Sequence, residues 1–318
     1  FMREWLALYE SKSGERGIFN RQSAIKQASK NGRRDVEQEF GCNPCSEIIL
    51  RPYQFCNLTE VVVRESDTEE TLIQKVKLAT ILGTYQSTLT DFKYLRKIWK
   101  DNTEEERLLG VSLTGIMDNA LLSGKSPRIG NNIEGLLTKL RETAVETNRK
   151  VSAKLGIPQS TAVTTVKPSG TVSQLVDSAS GIHARHNPHY IRTVRGDNKD
   201  PLTQFMVAQG IPSEPDVMKP QSTTVFSFPM QAPSTAVFRQ DMTAIEQLNI
   251  WLKYQTYWCE HKPSVTISVK EHEWLEVGAW VYEHFDEVSG ISFLPFSEHT
   301  YKQAPYQDCT EVEYKDML

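Results

Sequence analysis

Alternating strand and helix signals along most of its length constrain this chain more than any single residue does. The clearest unit runs from Ile133 to Leu155, where Leu136, Leu137, Leu140, Ala144, Val145, Val151 and Leu155 form one apolar stripe. Gly156 and Pro158 supply the stop signal. A strand-like run, Thr161 to Val166, follows at once. The same grammar returns as a helix from about Asp241 to Glu260, a strand Ser264 to Val269, a helix from about Glu271 to Val288, and a strand Ile291 to Leu294 ended by Pro295. Such alternation predicts an α/β fold with a parallel sheet or barrel, and a site at the carboxyl ends of the strands.

Earlier segments are less regular. Phe1 to Glu10 reads as the middle of an amphipathic helix with no capping residue before it, so the chain is expected to begin inside a larger protein. A charged helix-like run covers Ala24 to Arg34, and a β-branched strand covers Asn57 to Val63. Apolar positions from Glu69 to Ile98 recur at helical spacing, with a break expected near Gly83 or Thr90. Leu108 to Ile116 reads as a buried, glycine-bracketed segment.

Composition sets ordinary bounds. The 318 residues, 39% hydrophobic and 24% charged, can bury a large core, and a formal charge of −4 gives no general attraction to nucleic acid or membrane. No apolar run approaches the length a bilayer needs, and no secretory or transit pattern is present. Five cysteines without a secretory signal fit a reducing compartment, so the expected location is the cytoplasm.

Chemistry concentrates in Cys42-Asn43-Pro44-Cys45-Ser46-Glu47-Ile48-Ile49. In an extended backbone, residues two apart face the same way, so Asn43, Cys45 and Glu47 would converge on one substrate. Pro44 biases Asn43 toward extended conformations. The Glu47 carboxylate would favour a neutral Cys45 thiol, unlike a metal ligand or a nucleophile. Other readings stay open at this level. One is a surface loop with Cys45 as a small hydrophobe, followed by the strand Ile48 to Leu50. Another is a redox CxxC pair, although a thioredoxin-like motif opens a helix after a strand, and here the strand-like run follows the pair. Zinc would need two more ligands, and Cys56, Cys259 and Cys309 form no second CxxC.

A second motif is Lys167-Pro168-Ser169-Gly170-Thr171-Val172-Ser173, after a strand and at an expected helix start. Small residues, hydroxyls and exposed amides there suit an anion such as phosphate, although an ordinary capped turn uses the same residues. It is not a P-loop. His183, His186 and His189 match no common zinc spacing and are expected to be structural or to contact substrate; no metal site is expected. No GxSxG elbow supports hydrolysis.

Asn43 to Ile48, with Cys56 eleven residues after Cys45 in Phe55-Cys56-Asn57-Leu58-Thr59-Glu60, resembles the active-site loop of class II, adenosylcobalamin-dependent ribonucleotide reductases. Val166 to Ser173, Cys56 to Val61, Gly110 to Gly115 and His261-Lys262-Pro263-Ser264-Val265-Thr266 are similar to the monomeric ribonucleoside-triphosphate reductase branch. Ser46 departs from that branch, which commonly has glycine there, and is expected to face away from the triad.

The resemblance implies an enzyme that reduces ribonucleoside triphosphates to 2′-deoxyribonucleotides for DNA synthesis by a thiyl-radical route. Its cofactor would be adenosylcobalamin, and its electrons would come from thioredoxin or a similar reductant. Cys45 would carry the radical, Glu47 would be the base on the 3′ hydroxyl, Asn43 would hold the ribose, and Cys56 would be one of two reducing thiols. Pro168, Ser169, Gly170, Thr171, Val172 and Ser173 would hold the substrate phosphates. The implied fold is the second half of a ten-stranded α/β barrel with the active-site cysteine on an internal finger loop, about residues 40 to 57. Residues 1 to 318 would form a partial catalytic barrel domain. The N-terminal portion of the enzyme, with the partner of Cys56 and the effector region, would lie outside the chain, and the fragment alone would be inactive. An inactive or structural fragment of the same fold, and a CxxC thiol-disulfide oxidoreductase, are the alternatives.

Overall fold

The structure, a computed structural model, describes residues 1–14, 16–125, 132–296 and 301–318. Its centre is the strand Leu109–Thr114, buried at every position, as expected where a strand of a parallel sheet is covered on both faces. It pairs in parallel with Asn57–Val62, in register from Asn57 opposite Leu109 to Val62 opposite Thr114. On its other side the Leu109 and Val111 amides donate to the carbonyls of Ala162 and Val163 at 3.0 and 2.8 Å. The 161 to 166 run then meets the next segment, where the Ser264 amide donates to the Val166 carbonyl at 2.8 Å. Thr266–Val269 continues that segment and pairs in parallel with Ile291–Pro295, whose outer edge takes Gly17–Ile18 antiparallel. Five chain segments, in chain order though not all consecutive, thus lie side by side in one direction.

The expected strand Thr161 to Val166 is not a regular one. It contributes isolated parallel bridges at Thr164 and Val166, because the amides of Glu260 and His261 both donate to the Thr164 carbonyl, at 3.1 and 3.0 Å. Two residues opposite one break the ladder in the manner of a bulge.

The helix Ile133–Leu155 stands where its stripe placed it. The Asn132 side chain accepts from the Gly135 amide, and Gly156 ends the helix at φ 67°, a left-handed value that glycine adopts without a Cβ clash. The 69 to 98 region breaks at Thr90, the second of the two expected places, and not at Gly83. A helix spans Glu69–Gln86, a loop follows, and a second helix spans Lys97–Glu106. Gly83 lies inside the first helix. It faces Thr59 and Leu109, where a Cβ would make only ordinary contact at 3.4 and 3.6 Å, and it does not break the helix. The 24 to 34 run forms a helix over Arg21–Ser29 capped by Asn20, and the N-terminal helix is Met2–Ser11. The last two expected helices are shorter: Ala244–Lys253 runs into a π-helical turn, Tyr254–Trp258, and Trp274–Glu283 follows a single 3-10 turn. No described helix is long and apolar enough to cross a membrane.

A four-stranded antiparallel sheet, absent from the expected alternation, is built from Tyr306–Asp308, His189–Asp197, Thr223–Gln231 and Ser213–Pro215 in that spatial order. Arg185 ties it to the parallel part. Its Nε and Nη2 donate to Asp118 Oδ1 and Oδ2 at 2.8 and 2.9 Å, and its Nη1 donates to the Tyr190 hydroxyl at 2.9 Å. Both side chains are almost wholly enclosed, so the pair persists because each charge answers the other. Removing one partner of such a pair typically costs about 3–5 kcal/mol. Asp118→Ala is accordingly expected to lower the urea midpoint by that much stability at unchanged slope, and a loss below about 1 kcal/mol would contradict a closed ion pair.

Candidate active site

The loop carrying Cys45 is closed by two short strands, Gly41–Cys42 against Ile49–Leu50. Between them the chain is turned and not extended. The Ser46 amide donates to the Asn43 carbonyl at 2.8 Å, and Ser46 sits at φ 65°. This corrects the alternation argument: Asn43, Cys45 and Glu47 are placed by a β-turn with Pro44 at its second position, a place proline favours as much as the extended region. Ser46 does not face away idly. Its left-handed conformation suits glycine, and its hydroxyl accepts from Lys262 Nζ at 3.1 Å.

The turn separates the three groups by environment. Cys45 is exposed. Glu47 is completely buried; its Oε1 accepts from Lys167 Nζ at 3.3 Å, while Oε2 is buried with no protein partner. Asn43 is half-buried, and its Oδ1 accepts from the Ile48 amide at 3.0 Å, leaving its amide nitrogen as the group available to a ligand. Cys56 lies just before the strand Asn57–Val62. Burial pushes its thiol well above the usual range, the Glu47 charge adds to that, and Arg34 opposes it. Cys56 is therefore a neutral thiol in the electrostatic neighbourhood of Glu47. All five cysteines are free, Cys42 included, and no Cys42–Cys45 bridge blocks the exposed thiol.

Two neighbouring residues escaped the sequence reading as site components. Lys262 is fully buried; its Nζ also donates to the Ser289 carbonyl at 3.1 Å and lies 4.6 Å from the centre of the Phe19 ring. Burial brings its pKa down to about 8, against the pull of Cys42 and Glu47. His261 is buried too, with Nε2 3.0 Å from the Leu109 carbonyl and the Ile49 amide donating to Nδ1 at 3.4 Å. Burial holds it well below the ordinary range and hence neutral. Both sit in the quoted run His261 to Thr266, which was the available signal.

The 167 to 173 turn opens only a single helical turn, Val172–Leu175, so a long helix dipole is not what it offers. Gly170, Thr171 and Val172 are exposed, but Ser169 and Ser173 are buried and their hydroxyls are spent internally. Ser169 donates to Glu60 Oε2 at 2.8 Å, and Ser173 donates to the Ser169 carbonyl. What remains for an anion is backbone at Gly170 and Thr171 with the half-exposed Lys167 ammonium. Glu60, beneath the turn, has its carboxyl raised by burial against the Ser169 hydrogen bond and the Lys167 charge.

The three histidines have separate partners. His183 Nδ1 lies 3.0 Å from the Ser180 carbonyl and its Nε2 accepts from the Thr266 amide at 3.1 Å. His186 pairs with Asp308 at 2.7 Å, and the His189 ring lies tilted against Tyr314 at 5.0 Å between centroids. Among the described residues no three potential ligands gather as a metal site.

With this geometry in view, comparison with known proteins is specific. No family model matches the chain. An adenosylcobalamin-dependent ribonucleoside-triphosphate reductase of Euglena gracilis is 28% identical over 295 residues, covering 91% of this chain and 39% of that protein. The enzyme of the same description from Lacticaseibacillus paracasei is 28% identical over 339 residues, covering 98% of this chain and 45% of its own length. A crystal structure of a B12-dependent, class II ribonucleotide reductase superposes with a TM-score of 0.80 at 25% identity, over 99% of this chain and 47% of that one. The chain is similar in sequence and in fold to the class II ribonucleotide reductases. It spans less than half the length of these relatives. The alpha subunit of a class Id ribonucleotide reductase from Actinobacillus ureae, at 13% identity and a TM-score of 0.60, shares the fold.

Exposure and burial of the two loop thiols predict their relative reactivity. With iodoacetamide at neutral pH, Cys45 is expected to be alkylated at least about tenfold faster than Cys56, since the thiolate is the reactive form and burial disfavours it. Peptide mass spectrometry reads both sites in one sample; equal rates would contradict the partial burial and raised thiol of Cys56.

Proposed function

We propose that this chain supplies the thiol loop and one side of the catalytic domain of an adenosylcobalamin-dependent ribonucleoside-triphosphate reductase. The observation that carries the reading is the pairing of an exposed, unscreened thiol with a buried carboxylate two residues away whose Oε2 has no partner. A substrate hydroxyl is the missing donor. The Cys45 sulfur takes part in no hydrogen bond within the described residues, which fits a thiol that must give up its hydrogen atom to a radical source from outside. Adenosylcobalamin, when bound, supplies that radical chemistry; the chain supplies position and electrostatics.

In this reading the Cys45 thiyl removes the 3′ hydrogen of the ribose while Glu47 Oε2 takes the 3′ hydroxyl proton, and a positioned base of this kind typically contributes about 10²–10⁴-fold. Lys167 holds the other carboxylate oxygen. The Asn43 amide nitrogen donates to a ribose hydroxyl. The 2′ hydroxyl leaves as water, and two thiols provide the two electrons and end as a disulfide. Cys56 is one of them, neutral as a hydrogen donor must be. Its partner belongs to the portion of the enzyme outside this chain, and thioredoxin or a similar reductant returns the pair to thiols. The turn from Pro168 to Ser173 receives the phosphates through the amides of Gly170 and Thr171, with Ser169 and Ser173 bracing the turn from below and Val172 closing it.

Combining the chain with the remainder of the enzyme, nucleotide, adenosylcobalamin and a dithiol reductant is expected to yield deoxynucleotide. Cys45→Ser is expected to abolish it, Glu47→Gln to reduce it by about 10²–10⁴-fold, and Cys42→Ser to leave it. Equal turnover by Cys45→Ser would sink the proposal; loss of turnover in Cys42→Ser alone would point to a CxxC oxidoreductase.

A further inference from the structure

The segment Lys262 to Ser264 grips three successive residues of the thiol loop. Ser264 Oγ donates to the Cys45 carbonyl at 2.6 Å, Lys262 Nζ donates to Ser46 Oγ at 3.1 Å, and the Lys262 amide donates to the Glu47 carbonyl at 3.1 Å. Thr165 Oγ contacts the carbonyls of both Glu47 and Lys262, at 3.0 and 2.8 Å. Two of these grips are backbone or small-hydroxyl contacts that many residues could make. The third brings a fully buried amino group to a single serine.

Gly290 shows that space has been kept for that contact. A Cβ at this position would lie 2.1 Å from Ser46 Oγ and 3.0 Å from Lys262 Nζ. The glycine is not needed for a left-handed backbone, since its φ is not among the positive ones. A lysine ammonium has three donors. Ser46 and the Ser289 carbonyl take two of them, and the Phe19 ring lies 4.6 Å from the nitrogen. Burial of this kind holds an ammonium only where its partners are fixed.

We propose that Lys262 is a positioning residue for the radical thiol: seated between Ser46 and the Ser289 carbonyl, it holds the left-handed turn that presents Cys45 above Glu47. The proposal rests on the reductase reading for its purpose, because a thiol that must reach one carbon atom cannot wander. The order of the loop, however, is measurable without turnover. A serine in the left-handed region needs external support, whereas glycine adopts it unaided. The lysine therefore does for Ser46 what a glycine would do through its own backbone.

Hydrogen exchange of the full chain, followed by mass spectrometry on peptides covering residues 41 to 50, tests this. Lys262→Met is expected to speed exchange of those peptides at least about tenfold while peptides of the helix Ile133–Leu155 stay unchanged, as for a local opening. Adding Ser46→Gly to Lys262→Met is expected to restore most of the protection. Ser46→Ala, which keeps the buried lysine and removes only its acceptor, is expected to behave like Lys262→Met and guards against a variant that fails to fold. Unchanged exchange in Ser46→Ala, or no recovery in the double variant, would overturn the proposal. In the assembled enzyme, Lys262→Met is expected to lower kcat with KM for the nucleotide unchanged. Absence of any Cys45-dependent turnover would reject the reductase reading and leave the exchange result standing.

Discussion

The grip of Lys262 to Ser264 on residues 45 to 47 is the contact on which the rest depends. The same segment pairs with Val166 on one side and leads directly into Thr266–Val269 on the other, so the thiol loop is seated by the parallel row itself. The loop's turn holds a non-glycine residue in the left-handed region, roughly 1–2 kcal/mol of local strain, which is of the size that one or two hydrogen bonds to a charged donor can offset. Site and fold are in this sense one cooperative unit.

Charge is distributed around that unit with economy. Glu47 and Lys262 are buried within reach of each other's field, Lys167 closes one face of Glu47, and Glu60 lies below the neighbouring turn. Burial raises the carboxyl of Glu60, opposed by the Ser169 hydrogen bond and the Lys167 charge. The two thiols differ in setting: Cys45 is exposed, whereas Cys56 is half-buried and its thiol is pushed up by desolvation.

Much of this was legible in the sequence because local signals and tertiary context agree there. The helix Ile133–Leu155 carries its own cap and stop, and Leu109–Thr114 is apolar enough to require burial on both faces. Cys45, Glu47 and the resemblance around them singled out the loop. Where local signals permit two answers, the sequence could not decide. The φ that proline fixes at Pro44 serves an extended strand and a turn equally, and the turn prevailed because Lys262, more than two hundred residues away, supports Ser46. Gly83 reads as a helix breaker but lies inside the helix Glu69–Gln86, whose ladder continues through it. The Thr223–Gln231 strand is stabilised by pairing with His189–Asp197, a long-range partner that periodicity does not reveal. Ser169 and Ser173 looked like anion ligands and instead brace their own turn.

At about 28% identity over most of the chain, and with a shared fold, the likeness to class II reductases accounts for why an exposed thiol, a buried carboxylate and a second, half-buried thiol occur together. The chemical claim is that Cys45 removes the hydrogen at C3′ of the ribose. The most direct measurement supplies the assembled enzyme with a mixture of unlabelled and 3′-deuterated nucleotide and follows the isotopic composition of the unreacted pool. Breaking the C3′–H bond at Cys45 predicts enrichment of deuterium in that pool as the reaction proceeds. A pool of constant composition would contradict the account.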